Sequence, residues 1–313
     1  MSVELITMSH SPLLGINDPA PQIEVKLNEA FATLKEYAKD YDPDLVIVFT
    51  PDHFNGFFYN LMPPYCIGYS AESMGDYKTT AGPLNVPEEA ASELAQYVIS
   101  QGIDVAISRE MLLDHGGAQP LEILFGELDA KPVIPIFING VARPFVEMER
   151  VRKIGQAVGA WAKEYAAAHD KKILMIASGG LSHDPPLPQW ATATDAQKDM
   201  LLHGHPDQES RDAREARVIA AGKENLGKEM IQDINPEWDK QFLADCAAAD
   251  PTVFDKYTAD QMDADAGHSS HEVRTWVAAF SALHTVNNGY SVNFEFYAPI
   301  PEFVAGFGMT IAK

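Results

Sequence analysis

The run Lys172-Ile173-Leu174-Met175-Ile176-Ala177-Ser178-Gly179-Gly180-Leu181-Ser182-His183-Asp184 limits the choice of fold more than any other stretch of this chain. Residues 173–177 are all apolar, with no polar alternation, so the segment suits a strand buried on both faces inside a sheet. Glycines 179 and 180 allow a sharp turn at low conformational cost. Ser182 and His183 are thereby delivered to the C-terminal end of the strand, where open α/β sheets bind ligands.

Two more apolar segments end the same way. Residues 3–8 run into Ser9-His10-Ser11-Pro12, and residues 45–49 run into Pro51-Asp52-His53-Phe54. A single histidine at a strand exit is often no more than packing or a turn cap. Three at three exits point to a functional cluster.

Helical periodicity fills the intervals. Leu27, Phe31, Leu34 and Tyr37 predict an amphipathic helix over 21–41, stopped by Asp42-Pro43. Ala91, Leu94 and Val98 predict a second over 87–100, and Val151, Ile154, Val158, Trp161 and Tyr165 a long one leading into 173–177. Further strands are expected at 104–108 and 133–138. Strand and helix alternate, so the expected fold is α/β, a single domain over 1–313 with a mostly parallel central sheet flanked by helices and an elaborated C-terminal third. Residues 57–87, rich in aromatics, Gly and Pro, are expected to be irregular and able to line a pocket. His115, within Asp114-His115-Gly116-Gly117, is expected in a loop. Residues 195–228, highly charged and poor in large apolar side chains, read as a surface or covering insertion.

Charge and cysteine usage narrow the partners. With 45 acidic against 23 basic side chains, the net charge of −22 repels phosphate backbones and anionic lipids, so neither nucleic acid nor membrane is an expected partner. No run approaches the roughly 18 apolar residues of a membrane span, and the start lacks a basic region followed by a long apolar one. Cys66 and Cys246 form no CxxC pair and suit a reducing compartment. A cytoplasmic protein acting on a small molecule is the expectation.

Ser269-Ser270-His271-Glu272 opens the last informative helix, with serines suited to capping it. Trp276, Phe280 and Leu283 follow Glu272 at helical spacing and place its carboxylate on the apolar stripe. A buried carboxylate needs a cation, a set of hydrogen bonds or a proton. His10 and His53 with Glu272 make a two-histidine, one-carboxylate set that suits non-haem Fe(II) with positions left open for substrate and dioxygen. Zinc in a hydrolase could use the same three residues. His268, four residues before Glu272, competes as a ligand.

The motifs Met8-Ser9-His10-Ser11-Pro12-Leu13, Thr50-Pro51-Asp52-His53-Phe54-Asn55-Gly56, Asp114-His115-Gly116, Gln119-Pro120-Leu121-Glu122, Ser178-Gly179-Gly180-Leu181-Ser182-His183 and His271-Glu272 with Trp276 to Phe280 span the chain in order. In this the chain resembles the class III extradiol ring-cleavage dioxygenases, within them the type acting on 2,3-dihydroxyphenylpropionate. The resemblance implies His10, His53 and Glu272 as Fe(II) ligands, with His268 outside the set. It also implies His183 as acceptor of a catechol proton and His115 as the acid. The implied reaction opens 3-(2,3-dihydroxyphenyl)propionate, or 2,3-dihydroxycinnamate, with O2 to a hydroxydienoate in a homo-oligomeric enzyme. A cationic partner for the substrate side chain is sought at Arg143 or Arg274. A zinc-dependent hydrolase and a non-enzymatic metal-binding protein are the alternatives; His115 and His183, beyond the ligands, favour an enzyme.

Overall fold

The computed structural model describes residues 2–204, 207–224 and 232–313; positions 205, 206 and 225–228 of the expected 195–228 insertion lie outside the described residues. The first half runs β1 (Ser2–Met8), α1 (Pro21–Tyr41), β2 (Leu45–Thr50), β3 (Tyr65–Gly68), β4 (Ala71–Met74), β5 (Ala81–Pro83), α2 (Glu88–Ser100), β6 (Ala106–Ser108), β7 (Met111–Leu113), α3 (His115–Phe125) and β8 (Val133–Ile138). The second runs α4 (Met148–His169), β9 (Lys172–Ser178), α5 (Asp195–His203), α6 (Gln208–Glu224), α7 (Pro236–Ala247), α8 (Ala259–Ala266), α9 (Arg274–Asn287), β10 (Val292–Ile300) and β11 (Ala305–Ala312).

Eight strands form the main sheet in the order β10-β11-β1-β9-β2-β8-β3-β6. At its centre β1, β9, β2 and β8 are mutually parallel, while β11 joins β1 and β3 joins β8 in antiparallel fashion. The α/β reading with a mostly parallel sheet holds. Its functional consequence lies in the order β1-β9-β2. Register aligns Met8 with Ser178 and Phe49 with Ala177, so the three histidine-bearing exits open side by side on one rim.

The strands are apolar on both faces because both faces are covered. On one face α2, α4, α7 and α9 pack through Leu94, Val158, Trp161, Phe242, Trp276 and Phe280. On the other, α1 and α3 pack through Leu27, Leu34, Leu121 and Leu124. Helices α4 and α9 approach unusually closely. A Cβ on Gly155 would lie 2.1 Å from the Ala278 carbonyl oxygen, and one on Gly159 2.2 Å from that of Ala282, so only glycine fits.

Three local expectations change. Residues 57–87 are not wholly irregular: they contribute β3 to the main sheet, and β4 with β5 to a small sheet completed by β7. Short three- and four-residue strands carry too little periodicity to stand out in a Gly- and Pro-rich segment. His115 is the first residue of α3, with Asp114 as its cap, not a loop residue. Finally, α9 starts at Arg274; Ser270–Val273 form a 3-10 turn, and Ser269 makes no side-chain cap bond.

Candidate metal centre

The rim where β1, β9 and β2 end gathers five side chains. His10, His53, His115, His183 and Glu272 are 13% exposed or less and meet within hydrogen-bonding or ring-contact distance. The expected site residues are thus brought together from five separate stretches of chain.

Each imidazole is oriented from behind. Ser178 donates its hydroxyl hydrogen to the Gly116 carbonyl at 2.5 Å, so its oxygen accepts from His10 Nδ1 at 2.9 Å. His53 Nδ1 donates to Asp114 Oδ2 at 2.9 Å, and the His53 backbone N–H reaches the same oxygen at 2.8 Å. Asn55 Nδ2 donates to it as well, and Asp114 Oδ1 caps α3 through Gly116 N–H. Four bonds therefore converge on a buried carboxylate whose pKa is held below the ordinary range by the His53 and His115 charges, against the opposing effect of burial. His183 Nδ1 donates to the Leu181 carbonyl at 2.8 Å. His115 Nδ1 lies 2.7 Å from Asp76 Oδ2. Donation of one ring nitrogen fixes which nitrogen faces the centre.

What faces the centre is a set of acceptors. His10 Nε2 and His53 Nε2 stand 3.5 Å apart. Glu272 Oε1 lies 3.0 Å from His53 Nε2 and 3.1 Å from His183 Nε2, while Oε2 lies 3.5 Å from His10 Nε2 and accepts from Gly180 N–H at 2.8 Å. A Cβ on Gly179 would sit 2.7 Å from the Glu272 carbonyl oxygen, so a side chain there would push the turn carrying this carboxylate away. His115 Nε2 is buried with no hydrogen-bond partner among the described residues, and its ring stacks on His53 at 4.8 Å.

Electrostatics divides these groups. Burial pushes the His10 pKa down to about 3 despite Glu272. Burial also opposes charge on His53, but Asp114 and Glu272 outweigh it and raise that pKa well above the usual value. Burial would raise Glu272, yet His183 and His10 hold it well below the ordinary carboxylate range. A divalent metal ion would displace the proton that Asp114 and Glu272 favour on His53 and would then meet imidazole nitrogens and a carboxylate, aimed inward and each supported by a second hydrogen bond, the donor set that such an ion requires. The nitrogens of His10, His53 and His115 all lie within 4.8 Å of one another. The residues present fit a metal ion.

Other candidates face elsewhere. His268 Nδ1 bonds both oxygens of Asp184 at 3.1 Å. Arg143 pairs with Asp260 and Asp263. Arg274 lies over Phe145 and donates to the Val146 carbonyl at 2.5 Å. The cation that does reach the His53 loop is Arg214 of α6, a residue that no motif marked. It donates to Asn55 Oδ1 at 3.1 Å and to the His53 carbonyl at 3.2 Å. Asp76, Ser178 as an acceptor, and Asp239 were equally unmarked. Asp239 accepts from Ser182 N–H at 2.7 Å, from its hydroxyl at 2.9 Å and from Tyr297 at 2.7 Å, and so anchors the turn that carries His183.

Residues 4–308 match the family described as the catalytic LigB subunit of aromatic ring-opening dioxygenase. Several curated relatives carry the name 2,3-dihydroxyphenylpropionate/2,3-dihydroxicinnamic acid 1,2-dioxygenase. That of Rhodococcus globerulus is 53% identical, covering all of this chain and 98% of its own. That of Rhodococcus rhodochrous is 52% identical over the same shares. A more distant one, from Cupriavidus pinatubonensis, is 44% identical over all of this chain and 99% of its own.

Proposed function

The chain belongs to the LigB family of aromatic ring-opening dioxygenases, and on that premise we propose that it cleaves 3-(2,3-dihydroxyphenyl)propionate, or the corresponding cinnamate, beside its two hydroxyls. Membership sets aside the hydrolase and the non-enzymatic alternatives. The observation that carries the reading is the inward-facing acceptor set of His10 Nε2, His53 Nε2 and Glu272. These three residues would hold Fe(II). Bound there with coordination positions left open, the ion would supply a path for electron density between a chelated catechol and dioxygen.

The remaining roles fall to the chain's own side chains. His183, with Nδ1 committed to the Leu181 carbonyl, presents Nε2 as the atom that accepts a proton from a catechol hydroxyl. His115, tied to Asp76 through Nδ1, presents a buried Nε2 without a partner among the described residues, which suits delivery of a proton to the departing oxygen. The two histidines approach from different elements, one after β9 and one at the head of α3. Stacking against His53 and edge contact with Tyr77 keep the His115 ring from turning. Burial excludes water from these proton transfers.

The enzyme is proposed to work in the cytoplasm as a homo-oligomer of one-domain chains spanning 1–313. Support for a reducing compartment comes from two buried, unpaired cysteines. No helix among the described residues is long and apolar enough to cross a membrane. The test is oxygen consumption by anaerobically Fe(II)-loaded protein with 3-(2,3-dihydroxyphenyl)propionate. Uptake matched one-to-one by a yellow ring-opened product is expected; no uptake with any of a panel of catechols, iron being bound, would overturn the reading.

A further inference from the structure

We infer that Arg214 recognises the carboxylate at the end of the substrate's side chain, an inference that rests on the ring-cleavage reading above. Arg214 is a charged group held in place by neutral acceptors. Its Nη1 and Nη2 donate to the Asn55 side-chain oxygen and the His53 backbone carbonyl. Among the described residues no carboxylate lies within ion-pairing distance of it. A guanidinium has five N–H donors in a rigid fork. Two are used to fix the group, and the rest keep their capacity for a carboxylate at little further cost in side-chain entropy.

Its position relative to the site is specific. Arg214 lines a small open cleft together with Asn55, Met74, Asp76, Tyr77 and Arg211. Two of those residues also touch His115: Asp76 holds its Nδ1, and the Tyr77 ring meets its ring edge-on at 4.9 Å. The cleft therefore adjoins His115, the residue that faces the catechol in the reading above. The Arg214 charge is also felt at the buried Tyr77 hydroxyl, where it works against the effect of burial.

The cleft is not uniformly basic. Asp76, Asp212 and Glu215 share it, and the whole chain carries a net charge of −22. An anionic substituent is thus not drawn in by the mean field. It needs a directed, charge-assisted contact with a fixed donor, which is what a pre-positioned guanidinium provides. If the acidic groups decided the matter, a substituent ending in an ammonium would be the preferred guest.

The test compares kcat/KM for three catechols bearing a propionate, a propyl or an aminoethyl group at position 3. Wild-type enzyme is expected to favour the propionate. Arg214→Gln is expected to lower the propionate-to-propyl ratio about 10- to 100-fold, mainly through KM, as loss of a charge-assisted hydrogen bond implies. Arg214→Lys should restore part of that ratio. An equal loss on both substrates would make Arg214 a structural latch and overturn the inference, as would wild-type preference for the aminoethyl compound. Should the variants not fold, wild-type inhibition decides: 3-phenylpropionate is expected to inhibit at least about tenfold more strongly than its amide, and equal inhibition overturns the inference. Turnover of propylcatechol without selection for propionate would sink this inference alone; absence of turnover with every catechol would sink the ring-cleavage reading with it.

Discussion

His10 Nε2 and His53 Nε2 face each other at 3.5 Å, and in the neutral rings neither has a hydrogen to offer the other. His10 has given its Nδ1 hydrogen to Ser178 and His53 has given its own to Asp114. Glu272 adds two more lone-pair oxygens at 3.0 and 3.5 Å. Buried acceptors brought this close repel unless a proton or a cation lies among them.

Removal of one acceptor should therefore differ from removal of a proton carrier. His10→Ala and Glu272→Ala are expected to lose bound metal, read by metal analysis after gel filtration. His115→Gln and His183→Gln should keep it while losing about 10²- to 10⁴-fold in turnover. A His183→Gln protein stripped of metal would contradict this division.

Asp239→Ala should destabilise the fold as well as disturb the His183 turn. It would leave Ser182 N–H and the Ser182 hydroxyl without their acceptor in a buried place, and the half-buried Tyr297 hydroxyl without its partner. The expected cost is roughly 3 kcal/mol or more, given about 1–3 kcal/mol for each buried donor left unpaired. Urea denaturation of the two proteins measures it. A midpoint unchanged from wild type would mean that water replaces the carboxylate.

Gly159→Ala tests the α4–α9 contact far from the site. The added methyl would stand 2.2 Å from a backbone oxygen of α9, which cannot swing aside as a flexible side chain would. Overpacking of this kind costs typically about 1–3 kcal/mol. Thermal unfolding should show the loss, with the metal content of the folded protein unchanged.

Stability should also fall in mild acid. Burial holds the His271 pKa down to about 4, and Asp263, which accepts from His271 Nε2 at 2.8 Å and from Arg143, is held down at about 2 although burial opposes this. Both groups bind a proton less readily in the fold than in the unfolded chain. Unfolding free energy therefore falls as pH drops, first from about 6.5 to 4 through His271 and then from about 3.8 to 2 through Asp263. Denaturant midpoints across pH 8 to 4 read the first step; His10, which burial also lowers, adds to it and His53, which is raised, opposes it, so His271→Gln should make the slope shallower without abolishing it.

What the amino-acid order settled by itself was the local part. The uninterrupted apolar runs at 45–49, 133–138 and 173–177 have no stable place except between covered faces, so they became β2, β8 and β9. Helix α1 begins and ends where the periodicity of Leu27 and Leu34 and the Asp42-Pro43 stop put it. The strand-exit histidines were legible for the same reason: a buried strand must end, and its end names the next residues. Partnership was not legible. That β1, β9 and β2 lie side by side follows from sheet order, which depends on contacts between residues over a hundred positions apart. Ser178 behind His10 and Arg214 across Asn55 are likewise joined over more than a hundred positions, and Asp114 behind His53 over 61. A hydrogen bond leaves no periodicity in the chain, because its two ends are joined by the fold alone.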